Sequence, residues 1–341
     1  MPDGPAEYYL DGAVCGRWLG RAATSLGLAG PVDPEGFRRV LAGRDPATGD
    51  MLIGGRAATK GRTPGYDLTI SAPKSVSLLA VLSDPAVGDQ VREAHRRAVD
   101  AAMRLVDVEV ATVRRGRDGS RQLPAELVAA SFQHYTSRAV DPQLHTHVVV
   151  ANMGRAGDGR WTALHGQRLY GWAKTAGTLY QAQLRAELTQ RLGVGWGPVR
   201  NGRAEIEGFT RAQLEAFSTR RAEIAAQLDR VGRSDPRSAQ LAAWSTRDPK
   251  VEIPEPLLVP RWRARAAGIG LTTEHINSLT RRHPALAPPP QALADDLLGP
   301  GGLTVHASSF DRRHALEAIA NAHRAGVTVD QAAAAADRLL A

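Results

Sequence analysis

Cysteine and long apolar runs are the scarcest features of this 341-residue sequence. Its single cysteine, Cys15, excludes an intramolecular disulfide and any metal site built from a cluster of cysteines. No apolar run approaches the ~18 residues that a transmembrane helix needs. The first residues, MPDGPAEYYLDG, lack the basic and apolar segments of a signal peptide. We therefore expect a cytoplasmic protein that does not insert into a membrane.

Lysine is also scarce, although the chain is basic. The 43 lysines and arginines outnumber the 35 acidic residues, the formal net charge is +8, and arginine supplies most of the positive charge. Because the planar guanidinium of arginine binds phosphate through paired hydrogen bonds, this composition favours a polyanionic partner such as nucleic acid. A genome rich in arginine codons would give the same excess, so charge alone leaves both interpretations open.

The hydrophobic pattern of the first half predicts an α+β fold. A strand is predicted at 66–71, and Ser71 and Pro73 then suit the start of a helix that begins KSVSLLAVL. A 3.6-residue period predicts a further helix over 86–107. The strand-like runs that follow, separated by short turns, are 108–116, 126–138, 143–154 and 160–164. Short turns between consecutive strands favour an antiparallel meander.

Helical patterns dominate the rest of the chain. Near the N-terminus, Asp33 and Pro34 predict the start of a helix over 33–43. Later segments predicted to be helical, with a small β segment at 194–208 among them, are 167–192, 210–232, 236–248, 255–268 and 271–281. We expect three units, namely a main domain, a proline-rich linker and a short helical appendage, at 1–282, 283–300 and 301–341.

Three histidines occur in two of the predicted strands. His145 and His147 are two residues apart in QLHTHVVVANM, and this spacing places both side chains on one face of a strand. His134 lies on the preceding strand, and the DP pair at 141–142 predicts a turn between the two. In a regular antiparallel hairpin, the numbers of any two facing residues add up to the same index sum. A sum of 279 or 281 brings all three histidines to one face, whereas a sum of 280 turns His134 away. A bulge would shift the register, so the sequence leaves the choice open.

Three converging neutral imidazoles with open coordination positions are typical of a catalytic metal site. Imidazole ligands alone favour Mn²⁺, Zn²⁺ or Ni²⁺ over Mg²⁺. A ligating histidine usually donates its second N–H to a carboxylate or carbonyl, and Asp67, on a neighbouring strand, is the candidate for that role or for accepting a proton. The alternative is a pair of half-exposed strand histidines and a solvated aspartate.

Several ordered motifs resemble one family. The segments YDLTISAPKSVSLL, FQHYTSRAVDPQLHTHVVVANM and GRWTALHG are similar to the DNA relaxase domain of the TrwC/TraI-type (MobF) conjugative relaxases, which are HUH-type endonucleases. The upstream segment that begins EYYLDGAVCGRWLG also resembles this family, so the resemblance spans about residues 7–280. It implies an α+β, palm-like HUH relaxase fold, in which an antiparallel sheet carries the histidine triad. Helices would flank the sheet, and a helical C-terminal part would close over bound DNA.

The resemblance implies metal-dependent, site- and strand-specific nicking of DNA at an origin of transfer. His134, His145 and His147 match the family's metal ligands, and Asp67 matches its active-site aspartate. A tyrosine would attack the scissile phosphate and leave a 5′-phosphotyrosine and a free 3′-OH, and reversal would rejoin the strand. The implied cofactor is a divalent ion, Mg²⁺ or Mn²⁺, with Zn²⁺ and Ni²⁺ as alternatives.

The sequence departs from the family pattern at both ends. Tyr8 and Tyr9 align with the family's second tyrosine pair, so we expect an upstream start, a truncated relaxase, or Tyr8 as the nucleophile. The G-x-x-x-x-G-K-[ST] phosphate loop of a following helicase does not occur, so no nucleotide cofactor is expected. The segment 303–323 resembles the start of the region that leads into that helicase. The alternative function is a truncated remnant that binds metal and single-stranded DNA without cleaving it.

The remaining candidates would contact DNA, either through phosphates or by stacking on unpaired bases. They comprise a lysine behind the strand of Asp67, the arginines of a basic hairpin tip and one tryptophan: Lys74, Arg114, Arg115, Arg117 and Trp161. His95 and His165 have no grouped partners and are interpreted as incidental. We expect a monomer that binds single-stranded DNA at an origin of transfer, with relaxosome accessory and coupling proteins as further partners.

Overall fold

The computed structural model describes residues 6–10, 15–54, 62–231, 253, 255–281, 295–299, 302–303, 305 and 309–341. Its strands are β1 Arg17–Leu19, β2 Gly65–Ser71, β3 Thr112–Arg115, β4 Arg121–Thr136, β5 Pro142–Ala156 and β6 Trp161–Thr162. The helices that precede β3 are α1 Glu7–Leu10, α2 Arg21–Ser25, α3 Pro34–Leu41, α4 Lys74–Leu82 and α5 Pro85–Leu105. Those that follow β6 are α6 Gly166–Leu192, α7 Arg211–Ala216, α8 Thr219–Val231, α9 Glu255–Ala267, α10 Thr273–Ser278, α11 Arg312–Ala322 and α12 Val329–Leu340.

An antiparallel sheet forms the centre of the molecule. The strand order is β1-β4-β5-β2, with β3 beside β4 and β6 beside β5. The long strands β4 and β5 form the hairpin that the DP turn predicts, and Val140 adopts a positive φ of 58° in that turn. The meander of β3 to β6 is confirmed, and β1 is a strand that the sequence pattern did not predict.

The two faces of the sheet carry different apolar clusters. On one face, side chains of β4 and β5 such as Leu127, Val148 and Val150 pack with α4, α5 and α6 into the main core. On the other face, Phe132 and Val149 belong to a smaller cluster that also contains residues of β1, α2 and α3. Alternation along the strands assigns His134, His145 and His147 to the face of the smaller cluster.

The predicted strand over 108–116 was partly wrong. The run 108–116 was predicted as one strand, but 106–110 continues α5 as a π-helical turn and only Thr112–Arg115 is a strand. This turn keeps Asp107 buried, where its carboxylate accepts hydrogen bonds from the backbone N–H of Arg21 at 2.7 Å and of Leu127 at 2.9 Å. Those tertiary bonds override the strand preference of the β-branched residues.

The predicted helix over 210–232 is divided into α7 and α8. The break follows Phe217, and the backbone N–H of Thr219 donates to Asp141 Oδ2 at 2.7 Å instead of continuing the helical ladder. The segment 194–208 forms only isolated bridges, one of which joins Trp196 to Ile206. The predicted helix over 236–248 lies outside the described residues.

Helices α11 and α12 pack against α6. Arg185 of α6 is buried and donates to the carbonyl oxygens of Ala320 at 2.8 Å and Gly202 at 3.0 Å, so it caps the C-terminal end of α11. The division of the chain at 282 and 300 stays a prediction, because most of 283–300 lies outside the described residues. Among the described helices, none is both long and apolar enough to cross a membrane.

Candidate active site

The three histidines lie together on the sheet. His134 is directly opposite His145, and Phe132 is opposite His147, which is the register with an index sum of 279. The ring centroids are 5.3 Å apart for His134 and His145, 5.4 Å for His134 and His147, and 5.2 Å for His145 and His147. The register shift in this part of the hairpin comes after His134, before Thr136. It therefore does not separate the histidines.

Two of the imidazoles are oriented through their Nδ1 atoms. His147 Nδ1 lies 2.8 Å from Asp67 Oδ2 and 3.1 Å from Oδ1, and β2 places Thr69 Oγ1 3.2 Å from the same nitrogen. His145 Nδ1 lies 2.9 Å from the carbonyl oxygen of Gln143. A carboxylate and a carbonyl only accept, so Nδ1 carries the proton in both rings and the lone pair of Nε2 is available to a metal.

The positions of the rings fit a metal ion. Three imidazoles that bind one ion tetrahedrally, with metal–nitrogen distances of about 2.1 Å, have ring centroids roughly 5 Å apart. The observed separations of 5.2–5.4 Å match that spacing. In the described part of the chain, no three His, Cys, Asp or Glu side chains already form a group that holds an ion. Coordination by this triad therefore requires the rings to turn about their side-chain bonds.

Tyr9 joins this group from α1. Its hydroxyl donates to Asp67 Oδ2 at 3.1 Å. Its ring stacks on Phe132 with the centroids 5.7 Å apart, and it lies edge-on to His147, also with the centroids 5.7 Å apart. The backbone of Tyr8 is part of the same helix, but its side chain lies outside the described part of the structure. The arrangement therefore brings one tyrosine hydroxyl, the candidate carboxylate and the triad into contact.

The helix α1 is held in this place by α3. Arg38 of α3 binds the Glu7 carboxylate through Nε at 2.8 Å and through a second nitrogen at 3.1 Å. The Tyr9 ring also meets Phe37 of α3 edge-on, with the centroids 6.4 Å apart. Asp33 caps α3 by accepting from the backbone N–H of Gly36 at 2.8 Å, as the sequence predicts. A capped α3 thus supports the short helix that delivers Tyr9.

Residues 2–269 of the sequence match the family model described as TrwC relaxase. This chain belongs to the TrwC relaxase family. The Multifunctional conjugation protein TraI of Escherichia coli is 38% identical in an alignment over 270 residues that covers 75% of this chain and 15% of that protein. The protein of the same description from strain K12 is 37% identical with the same coverage. The chain therefore spans about 15% of the length of these relatives.

Solved structures of conjugative relaxase TrwC are also similar to this chain. A metal-free structure of conjugative relaxase TrwC in complex with OriT DNA has a TM-score of 0.70 and 34% identity, and covers 78% of this chain and 94% of that chain. A metal-bound structure of the complex has the same TM-score and identity, with coverage of 79% and 94%. A copper-bound structure has a TM-score of 0.69 at 34% identity, with coverage of 76% and 89%. The predicted family and the predicted α+β fold class are confirmed.

Lys74 lies at the start of α4 in this TrwC-family fold. Burial lowers its pKa from 10.5 to about 8, while the carboxylates of Asp141 and Glu205 act in the opposite direction. Its Nζ donates to the carbonyl oxygen of Pro142 at 2.7 Å, at the first residue of β5. The structure thus places this ammonium near the turn that follows His134. Its contact with DNA stays a prediction.

The basic hairpin tip lies at the other end of β4. Arg115 donates to Asp158 Oδ1 and to the carbonyl oxygen of Arg160, both at 3.3 Å, and Arg114 Nε donates to the carbonyl oxygen of Gly119 at 3.2 Å. Arg117 is exposed in a 3₁₀ turn, and Trp161 is half-buried against the smaller apolar cluster. The hairpin tip precedes His134 along β4 by on the order of 40 Å of extended chain. The structure does not bring these residues to the triad.

Sequence reasoning missed one histidine that is connected to the triad. His95 of α5 is buried between two hydroxyls, with Nδ1 2.7 Å from Tyr180 and Nε2 2.8 Å from Thr146. Burial, and next the nearby His145, lower its pKa to about 3, so this ring is neutral at physiological pH. Its partners are 85 and 51 residues away, so no local pattern reveals the contact.

Proposed function

We propose that this chain is a conjugative relaxase that nicks one strand of DNA at an origin of transfer and rejoins it in a metal-dependent reaction. The observation that carries the proposal is the contact of Tyr9, Asp67 and His147 beside His134 and His145. Membership of the TrwC relaxase family supports it, as do the TrwC structures in complex with OriT DNA.

Tyr9 is the proposed nucleophile. A tyrosine hydroxyl has a pKa near 10, so it must lose its proton to become reactive at neutral pH. Asp67 Oδ2 accepts a hydrogen bond from this hydroxyl, which supports Asp67 as the group that receives the proton. The sequence alone pointed to Tyr8 as the nucleophile, and the substitution of Tyr8 provides the matched control.

The reaction transfers the phosphoryl group of the scissile phosphodiester from the 3′ oxygen of the DNA to the tyrosine oxygen. The phenolate oxygen of Tyr9 forms a bond to phosphorus while the bond from phosphorus to the 3′ oxygen breaks. That 3′ oxygen takes up a proton, which gives a free 3′-OH and a 5′-phosphotyrosine, and the reverse steps rejoin the strand. A divalent ion held by His134, His145 and His147 would stabilise negative charge on the scissile phosphate. Mg²⁺ or Mn²⁺ is proposed, with Zn²⁺ and Ni²⁺ as alternatives.

Hydrogen bonds and ring contacts of the protein fix part of the site before DNA binds, and the remaining step is the turning of the triad rings. Asp67 keeps His147 in the tautomer that would bind a metal through Nε2, and the Gln143 carbonyl does the same for His145. Phe132 supports the face of the Tyr9 ring. These contacts reduce the reorganisation that the reaction requires.

Single-stranded DNA at an origin of transfer is the proposed substrate. Lys74 would contact DNA near the triad, whereas Arg114, Arg115, Arg117 and Trp161 would contact a distant part of it, because they lie near the opposite end of β4. The net charge of +8 supports association with a polyanion. A cytoplasmic monomer that works with relaxosome accessory and coupling proteins completes the proposal.

A covalent adduct on a denaturing gel tests this function. The full chain is incubated with Mn²⁺ and end-labelled single strands that tile the DNA around its own gene. We expect one strand to give an adduct that migrates with the protein, and we expect EDTA or His134→Ala to abolish it. Retained DNA binding without an adduct on any strand would instead indicate the remnant that binds without cleaving.

A further inference from the structure

We propose that His95 is a positioning residue for the histidine pair of the triad, which it holds in place by binding Thr146 from the opposite face of the sheet. Thr146 lies between His145 and His147 on β5, so the position of its backbone sets the positions of both neighbours. The inference rests on the proposed metal site and adds a residue that does not touch the metal or the DNA.

The link is a chain of two hydrogen bonds across the core. Strand alternation directs the Thr146 side chain away from the triad and towards the helices. There its Oγ1 is 2.8 Å from His95 Nε2 of α5, and His95 Nδ1 is 2.7 Å from the Tyr180 hydroxyl of α6. Each hydroxyl can donate or accept, so the neutral imidazole satisfies both of its nitrogens. One strand is thereby joined to two helices at the level of the triad.

The surroundings of this link are apolar. His95 is 0% and Tyr180 1% exposed, and neighbouring positions along the same face of β5, such as Val148 and Val150, are apolar core residues. Burying polar groups in such an interface costs free energy unless each finds a partner in the correct place. The hydrogen bonds of this buried network form only when the strand lies in a narrow range of positions, whereas apolar contacts form over a wider range.

Further tethers act on the same stretch of backbone. Gln181, next to Tyr180 on α6, donates to the carbonyl oxygen of Ser71 at 2.9 Å, and Ser71 is the β2 partner of His145. The backbone N–H of Leu144 donates to Ser77 Oγ of α4 at 3.0 Å. The helix layer thus holds the backbone around His145, which leaves the imidazoles to turn about their side-chain bonds.

The test compares Ni²⁺ affinity with stability in the full chain. Thr146→Val keeps the volume of the side chain but removes the hydroxyl that meets His95. Val99→Ala is the matched control, because Val99 is a buried α5 residue one turn beyond His95 and loses only apolar contact. Ni²⁺ titrations by calorimetry and the melting temperature are measured for each variant. We expect Thr146→Val to weaken Ni²⁺ binding by about tenfold, and Val99→Ala to lower the melting temperature while keeping affinity within about twofold.

Thr146→Ser restores the hydroxyl and is expected to recover most of the lost affinity. Equal weakening by Val99→Ala at a similar melting temperature, or no recovery with serine, would show a structural role only and overturn the proposal.

A second measurement does not depend on metal. Long-range ¹H–¹⁵N spectra of the metal-free protein report the imidazoles of His145 and His147, and we expect Thr146→Val, but not Val99→Ala, to shift them. Unshifted signals would overturn the positioning role. Failure of the wild type to bind Ni²⁺ would count against the proposed metal site, and the spectra would then decide the positioning role alone.

Discussion

Asp67 serves two neighbours with one carboxylate. Its Oδ2 accepts from the Tyr9 hydroxyl at 3.1 Å and lies 2.8 Å from His147 Nδ1. Orientation of a ligand and acceptance of a proton are separate tasks, because the first needs only a hydrogen-bond acceptor and the second needs a base. A substitution that keeps the acceptor and removes the base separates them.

Asp67→Asn is that substitution. The amide oxygen still accepts from His147, so we expect Ni²⁺ affinity to change by less than about tenfold. The amide cannot take the proton of Tyr9, so we expect the single-turnover rate of adduct formation to fall by about 10²-fold or more. Asp67→Ala, which loses both functions, is the comparison. An unchanged rate for the asparagine variant would exclude Asp67 as the proton acceptor.

The lowered pKa of Lys74 predicts that the stability of the protein depends on pH. Burial lowers its pKa from 10.5 to about 8, against the attraction of Asp141 and Glu205 and with the repulsion of Arg265. Between these two values the unfolded chain binds more protons at this site than the folded chain. The free energy of unfolding therefore rises with pH between these values, by up to about 1.4 kcal/mol per pH unit. Below about pH 8, the destabilisation caused by the buried Lys74 ammonium is constant.

Lys74→Met is expected to remove that rise. The stability of the variant relative to the wild type should be highest below about pH 8 and should decline between pH 8 and 10.5. Urea unfolding at pH 7 and at pH 10 measures the two differences. A difference that is the same at both pH values would mean that Lys74 titrates at its ordinary pKa in the folded protein.

At the scale of single residues, the spacing of the histidines predicted more of the candidate site than the local helix patterns did. The two-residue spacing of His145 and His147, together with the DP turn, limited the register to a choice of parity, and the structure has the parity that brings His134 to them. The sequence pointed to Tyr8, whereas Tyr9 contacts Asp67, because the side of α1 that faces Asp67 depends on how α1 packs against α3. His95 was missed because its partners are distant in sequence.

At the scale of elements, the turn between β4 and β5 connects the triad to helices α8 and α9. Asp141 is buried in this turn and binds Arg265 of α9 at 2.9 Å as well as the backbone N–H of Thr219 at the start of α8. Trp262 of α9 donates to the carbonyl oxygen of Val140 at 2.9 Å. The two helices are therefore attached to the sheet at the end that carries His134.

Asp141→Ala is expected to loosen this attachment and leave the sheet intact. Arg265 and the start of α8 lose their acceptor, so amide hydrogens of α8 and α9 should exchange about tenfold faster or more. Those of β4 and β5 should keep their rates. Hydrogen exchange followed by mass spectrometry measures both sets in one experiment. Glu215→Ala, which removes an exposed ion pair with Arg211, is the control. Equal protection of α8 in both variants would contradict the attachment.

Element types were mostly predictable, and two of the exceptions share one cause. The predicted strand at 66–71, the hairpin and the long helix over 167–192 are confirmed, because each has a long or regular hydrophobic pattern. The errors at 108–116 and at 210–232 occur where a buried carboxylate, Asp107 or Asp141, binds backbone N–H groups of a distant segment. Local propensity contains no information about such bonds.

At the scale of the whole molecule, the candidate active site lies at one end of a sheet that is covered on both faces. The main cluster supports the strands from the helix side, and the smaller cluster, which includes Phe132 and packs against Tyr9, borders the triad. The sequence predicted the α+β class and the sheet that carries the histidines. It did not predict how α11 meets α6, because that contact depends on the buried Arg185 and on carbonyl groups of α11.

The identity of the phosphorylated residue tests the central claim most directly. The covalent adduct formed with Mn²⁺ and the cleaved strand is digested with nuclease and protease, and mass spectrometry locates the modified tyrosine. We predict a nucleotide joined to Tyr9 through its 5′ phosphate, loss of the adduct in Tyr9→Phe, and retention of the adduct in Tyr8→Phe. A modification on Tyr8, with Tyr9→Phe still forming the adduct, would contradict the proposed active site.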